Sequence, residues 1–187
     1  MPRTTEVVDT ASRQECEATA ALPDFKRGLP PIARADAKVL ILGSLPGDAS
    51  ITASQYYAHP RNHFWKLLSG VVGQDLVLLD YSQRIQTIQE SGFALWDVVG
   101  SAQRIGSLDH QIRNEQLNDL RKFVTNLAEL RAVAFNGKKA AALAGNVFDS
   151  LPVDVVQLPS GSPAHTMHPD AKAGLWTQLS LFLDTQK

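Results

Sequence analysis

KVLILG at 38–43 decides how this chain folds. Four apolar residues follow one another, Val39 to Leu42, and Gly43 ends the run. An unbroken apolar run suits a strand buried on both faces, whereas a half-exposed strand alternates apolar with polar residues. Three later stretches are further strand candidates: FALWDVV at 93–99, RAVAFNG at 131–137, again stopped by glycine, and VDVVQLP at 153–159. Helical patterns lie between them. Residues 62–72 put Trp65, Leu68 and Val72 on one face, and 81–90 is amphipathic. Residues 114–130 space Leu117, Leu120, Val124 and Leu127 as a helix would. Residues 138–148 are Ala-rich, and 171–183 carry Leu175, Leu179 and Phe182. Strand alternating with helix predicts a three-layer α/β/α domain with right-handed crossovers and strands near 38–43, 93–99, 131–136 and 153–158. Ligands in such sheets bind beyond the carboxyl ends of the strands.

Composition narrows the class. The 187 residues carry 18 Lys+Arg against 19 Asp+Glu, a formal net charge of −1. That excludes a strongly basic protein that coats nucleic acid, while leaving room for a local basic face. Cys16 is the only cysteine, so neither an internal disulfide nor a Cys-rich zinc site forms. No apolar run approaches the ~20 residues of a membrane span, and the first twenty residues lack the apolar core of a secretory signal. The expectation is a cytoplasmic, monomeric protein with no membrane partner. Residues 1–27 read as a mobile arm, or as a short helix over 12–21, ahead of a single domain at 28–187.

Four stretches follow the expected strands. GSLPGDAS at 43–50 is a tight loop that exposes backbone, but it holds neither a P-loop nor a dinucleotide fingerprint. QYYAHPRNHFW at 55–65 gathers aromatic and polar residues. Phe64 and Trp65 suit a core, and a tyrosine beside Arg61 suits base stacking. His59 and His63 are spaced as a metal pair, but Pro60 lies between them and no third ligand is evident, so no metal is expected. FNGKKA at 135–140 ends a strand on Asn136, which either caps the next helix or projects its amide into a cleft. LPSGSPAHTMH at 158–168 is a small-residue loop. A serine nucleophile there is disfavoured, because no G-x-S-x-G elbow exists and Ser162 precedes a proline.

Taken in order, GSLPG, YYAHPRNHFW, FNG and LPSGSPAHT resemble the uracil-DNA glycosylase superfamily, and within it the deoxyinosine (hypoxanthine) DNA glycosylase branch. The resemblance runs from about Gly28 to the C-terminus, and AHPRNHFW is its most specific part. It implies a four- or five-stranded, mainly parallel sheet and hydrolysis of the N-glycosidic bond of a deaminated base in DNA, without cofactor or metal. It makes Tyr57 the aromatic on which the extruded base stacks. Ser44 and Leu45 would line the base, and Asn136 would hold its Watson–Crick edge with one donor and one acceptor. Asn62, from HPRN, becomes the catalytic candidate. Ser160, Gly161, Ser162, Pro163, Ala164 and His165 form the loop that grips phosphates, aided by Arg61, Lys138 and Lys139.

Two departures bear on the chemistry. Leu45 stands where better-known branches place Asp or Asn to hold the attacking water. Ser160 replaces the histidine that the classical uracil enzymes aim at the leaving base. A uracil- or xanthine-preferring glycosylase is the nearest alternative. A non-catalytic binder of damaged or single-stranded nucleic acid is another, and a phosphate-binding α/β module is a third, against which the cluster from Tyr57 to Asn62 argues.

Overall fold

Each central strand buries alternate residues on opposite faces. Val39, Ile41, Phe93, Leu95, Ala132 and Ala134 enter one apolar cluster, and Leu40, Leu42, Ala94, Val133 and Phe135 enter another. A sheet with two buried faces needs a helical layer on each. The computed structural model describes residues 25–183 and has that architecture. In chain order the elements are β1 (Phe25–Arg27), β2 (Val39–Gly43), α1 (Asp48–Ala53), α2 (Phe64–Val72), α3 (Tyr81–Glu90), β3 (Phe93–Asp97), β4 (Val99–Gln103), β5 (Arg113–Leu117), α4 (Leu120–Val124), β6 (Ala132–Asn136), α5 (Lys138–Ala144), β7 (Asp154–Leu158) and α6 (Pro169–Trp176). A 3₁₀ turn (Thr177–Phe182) follows α6. The four expected strands form one parallel sheet in the order β3-β2-β6-β7.

Helices α2 and α3 and the segment from α6 cover the first face, with Trp65, Leu68, Ile88, Trp176 and Leu179 in its core. Helices α4 and α5 cover the second, through Leu120, Val124, Ala140 and Ala144. Helix α3 starts on a capping box, in which Asp80 accepts from the Gln83 amide and the Gln83 side chain accepts from that of Asp80. Among the described residues no helix is long and apolar enough to cross a membrane.

A second sheet, antiparallel and ordered β1-β4-β5, was not expected. The run 93–99 is not one strand. The chain leaves the parallel sheet at Asp97, Val98 and Val99 donate to the carbonyls of Gly43 and Ser44, and β4 starts in the other sheet. The expected helix over 114–130 also divides. Residues 113–117 pair with β4, and Asp119 caps Lys122 to start α4. Leu120, Val124 and Leu127 are buried as the helical spacing requires, but Leu117 is half exposed on an edge strand. β1 takes up the last three residues of the expected arm; the short helix proposed for 12–21 lies outside the described residues.

The small sheet clamps the loop after β2. Arg104 is 1% exposed, and its guanidinium donates to the carbonyls of Leu45, Pro46 and Gly106. Lys26 pairs with Asp48 and donates to the Gly106 carbonyl. Replacing Arg104 with Leu strips the buried carbonyls of Leu45 and Pro46 of this donor and leaves that of Gly106 to Lys26. Hydrogen bonds to charged groups contribute about 1.5–3 kcal/mol each, so urea unfolding of Arg104→Leu should show a loss of at least about that size. A loss below about 0.5 kcal/mol contradicts the clamp.

Candidate active site

The alternation that fills the first apolar face also sets what stands at its carboxyl end. Gly43 pairs in register with Asp97, and Asn136 follows Phe135, which pairs with Leu42. Asp97, Gly43 and Asn136 therefore form one row across three strands, facing the side covered by α2. Gly43 leaves a gap in that row. A Cβ there would lie 2.5 Å from Asp97 Oδ1 and 3.2 Å from the Tyr57 hydroxyl, so only glycine fits. Tyr57 reaches this point from the loop between α1 and α2, with a positive φ of 54°. Non-glycine residues held in that region concentrate at functional sites. Its ring stacks on Phe64 at 3.6 Å between centroids and 14° between planes, which covers one face.

The Tyr57 hydroxyl and Asp97 Oδ2 are both buried and both lack a hydrogen-bond partner. Burial raises the pKa of Tyr57, with the Asp97 charge adding to it, so the phenol stays neutral. Burial likewise pushes Asp97 up to about 7. Asp109 adds to the rise, and the Tyr56 hydroxyl and Arg104 offset it in part.

Both asparagines converge on Gly161. The Gly161 amide donates to Asn136 Oδ1 at 3.0 Å, and the Gly161 carbonyl accepts from His63 at 2.8 Å. A Cβ on Gly161 would sit 2.9 Å from both Asn62 Oδ1 and the Phe64 backbone nitrogen. Asn62 Oδ1 accepts from the Phe64 amide at 2.9 Å, at the start of α2. A backbone N–H only donates, so these contacts fix which end of each amide is oxygen. Asn136 Oδ1 keeps a second lone pair after accepting from Gly161, and its nitrogen lies beside the Tyr57 hydroxyl. Asn62 Oδ1 likewise keeps one after accepting from Phe64.

The other expected site residues divide. Leu45 does not line this pocket with its side chain, which packs with Val99, Ala102 and Ile112. Ser44 donates to Asp109 at 2.6 Å. Gly161 is buried with both backbone groups engaged internally, so it supports the loop instead of meeting phosphate. Around it the loop is stiffened: Ser160 Oγ accepts from the Ser162 amide, and Ser162 Oγ from that of Ala164. Both hydroxyl protons remain to be donated. Pro163 and Ala164 are exposed. His165 has an orphaned Nδ1, and its pKa is lowered by burial and by nearby Lys172 and Lys138. Arg61 and Lys138 are exposed and Lys139 is half-buried. His59 turns Nδ1 to accept from the Arg61 amide.

Four charged residues went unnoticed in the sequence. Arg104 clamps the first loop, Asp97 closes an apolar strand, and Asp109 meets Ser44. Lys172, fully buried on α6, donates to the His165 carbonyl beneath the last loop. The legible signal was the charge at the end of FALWD, where a strand running into the core would not carry one.

The Asp97 shift predicts a pH effect. The folded chain binds this proton more tightly than the unfolded one, so the group stabilises below about pH 4 and that contribution is lost as pH rises through about 7. The full shift corresponds to at most about 4 kcal/mol. Asp97→Asn should therefore gain stability relative to wild type at pH 8 and lose the advantage at pH 4.5. Parallel stability–pH curves for the two proteins contradict a buried, shifted carboxyl.

A family model described as the Uracil DNA glycosylase superfamily matches residues 30–180. A protein of Methanosarcina barkeri named hypoxanthine DNA glycosylase is 41% identical over 115 residues, covering 62% of this chain and 73% of the relative. One of the same name from Methanosarcina acetivorans is 39% identical over 116 residues, with the same coverage of each. A solution NMR structure from Methanosarcina acetivorans, provisionally named a uracil DNA glycosylase, superposes with a TM-score of 0.73 at 32% identity. It covers 83% of this chain and 99% of its own.

Proposed function

The chain belongs to the Uracil DNA glycosylase superfamily, and from that premise we propose that it hydrolyses the N-glycosidic bond of hypoxanthine in DNA. The observation that carries this reading is the convergence of Asn62 and Asn136 on Gly161 beside Tyr57, at the carboxyl ends of the strands. The names of the two archaeal relatives support the choice of base.

An enzyme acting on a base must draw it out of the stack. The Tyr57 face not covered by Phe64 then receives it, and stacking contributes roughly 1–3 kcal/mol per base. The Asn136 amide nitrogen donates to the base carbonyl. Adenine carries an amino group there, so donor would face donor, and the intact base is rejected. As the C–N bond lengthens, negative charge moves onto the base. The fixed amide donors of Asn136 and Asn62 lower the barrier because they are oriented before the reaction. Uracil also offers a carbonyl, so pocket size separates it from hypoxanthine. Ser160, Ser162 and the exposed Pro163–Ala164 tip meet the strand, with Arg61, Lys138 and Lys139 facing phosphates.

The test uses duplexes bearing one hypoxanthine, uracil or xanthine, followed by alkaline cleavage of abasic sites. Breaks at hypoxanthine are expected. Tight binding without breaks at any of the three sinks the catalytic reading. Tyr57→Ala should lower the rate while Tyr57→Phe largely keeps it, since the hydroxyl makes no hydrogen bond. Equal losses for both contradict stacking.

A further inference from the structure

Both asparagine oxygens accept from a backbone N–H group, and an amide oxygen is too weakly basic to take a proton from water. A donor stabilises a departing base but does not take a proton from water. Hydrolysis needs an acceptor near the sugar, and the residue where other branches carry one, Leu45, is packed in an apolar cluster. The carbonyls of Leu45 and Pro46 are no substitute, since both are turned to Arg104. The hairpin between β4 and β5 supplies a carboxylate instead. Asp109, in the 3₁₀ turn Asp109–Gln111, accepts from Ser44 Oγ at 2.6 Å, one residue before Leu45. Its Oδ2 makes no hydrogen bond or ion pair with another described residue, and the side chain is exposed to water.

The tip is held in place. Ser107 Oγ accepts from the Asp48 amide, and the Gly106 carbonyl accepts from Lys26 and Arg104. Its charge reaches the buried end of the pocket, where it acts on Tyr57, Asp97 and Arg104. The orphaned Asp97 Oδ2 and Tyr57 hydroxyl make that end polar without internal partners. Asp97 is 3% exposed and sealed under Tyr57, so the carboxylate that water can reach is Asp109.

We propose that Asp109 holds and deprotonates the attacking water, in place of the side chain of residue 45. The inference rests on the glycosylase reading. In the step, the water oxygen bonds to the anomeric carbon while the C–N bond breaks and its electron pair leaves with the base. The water proton passes to Asp109 and on to solvent, and the departing base regains a proton from solvent.

The test is Asp109→Asn, which keeps an acceptor for Ser44. Single-turnover release of hypoxanthine, affinity for the same duplex and the melting temperature are measured together. General base catalysis typically contributes about 10²–10⁴-fold, so the rate should fall by that factor with affinity and melting unchanged. A loss smaller than tenfold overturns the proposal. So does a loss matched by an equal fall in affinity or by a lowered melting temperature, which makes Asp109 only a strut for Ser44. If the wild-type chain itself releases no hypoxanthine, the glycosylase reading fails first. An active wild type with an equally active variant sinks this inference alone.

Discussion

The Gly161 amide, donated to Asn136 Oδ1 while the Gly161 carbonyl takes the His63 N–H, ties together three segments far apart in sequence. It joins the end of β6, the loop after β7 and the start of α2. The contact tolerates no side chain, because a Cβ would lie 2.9 Å from the Phe64 backbone nitrogen, which cannot move without unwinding α2. With the loop seated there, Phe64 is fixed, and Phe64 in turn carries the Tyr57 ring. One glycine thus sets the distance between the stacking face, the amides and the phosphate loop.

A backbone N–H orients each asparagine amide, that of Gly161 for Asn136 and that of Phe64 for Asn62, and the proposed reading uses their N–H groups on the electron-rich leaving base. It takes its acceptor for the water proton from the hairpin of the small antiparallel sheet. That sheet holds the first loop by its carbonyls through the buried Arg104 and brings Asp109 to Ser44. On the proposed reading the donors come from Asn136 at the end of β6 and Asn62 ahead of α2, and the carboxylate from the antiparallel sheet. The buried row of Asp97, Gly43 and Asn136 lies between them.

The parallel sheet was legible because apolar runs buried on two faces have no other explanation. Val39–Leu42 and Ala132–Phe135 show it directly, while β7 at the edge is exposed at Asp154, Val155 and Gln157. So was the placing of Asn136 and the Ser160–His165 loop at the carboxyl ends of strands, since each follows one directly. The antiparallel sheet was not legible. Its strand RNEQL is exposed throughout and its apolar neighbours keep helical spacing, so periodicity favoured a helix. The orientation of the two amides was hidden for another reason. It depends on which backbone N–H each oxygen meets, and no local pattern records a contact across twenty-five residues, as between Asn136 and Gly161. Asp109 stayed hidden likewise, because its partner Ser44 is sixty-five residues away.

The most direct measurement is a crystal structure of the chain bound to a duplex carrying a 2′-fluorinated deoxyinosine, whose glycosidic bond resists cleavage. The account predicts the base on the open face of Tyr57 and the Asn136 nitrogen at hydrogen-bond distance from its carbonyl. It predicts both asparagine oxygens still on their backbone amides, and a water between Asp109 and the anomeric carbon. An Asn136 turned to present its oxygen to the base, with the Gly161 amide released, would contradict it.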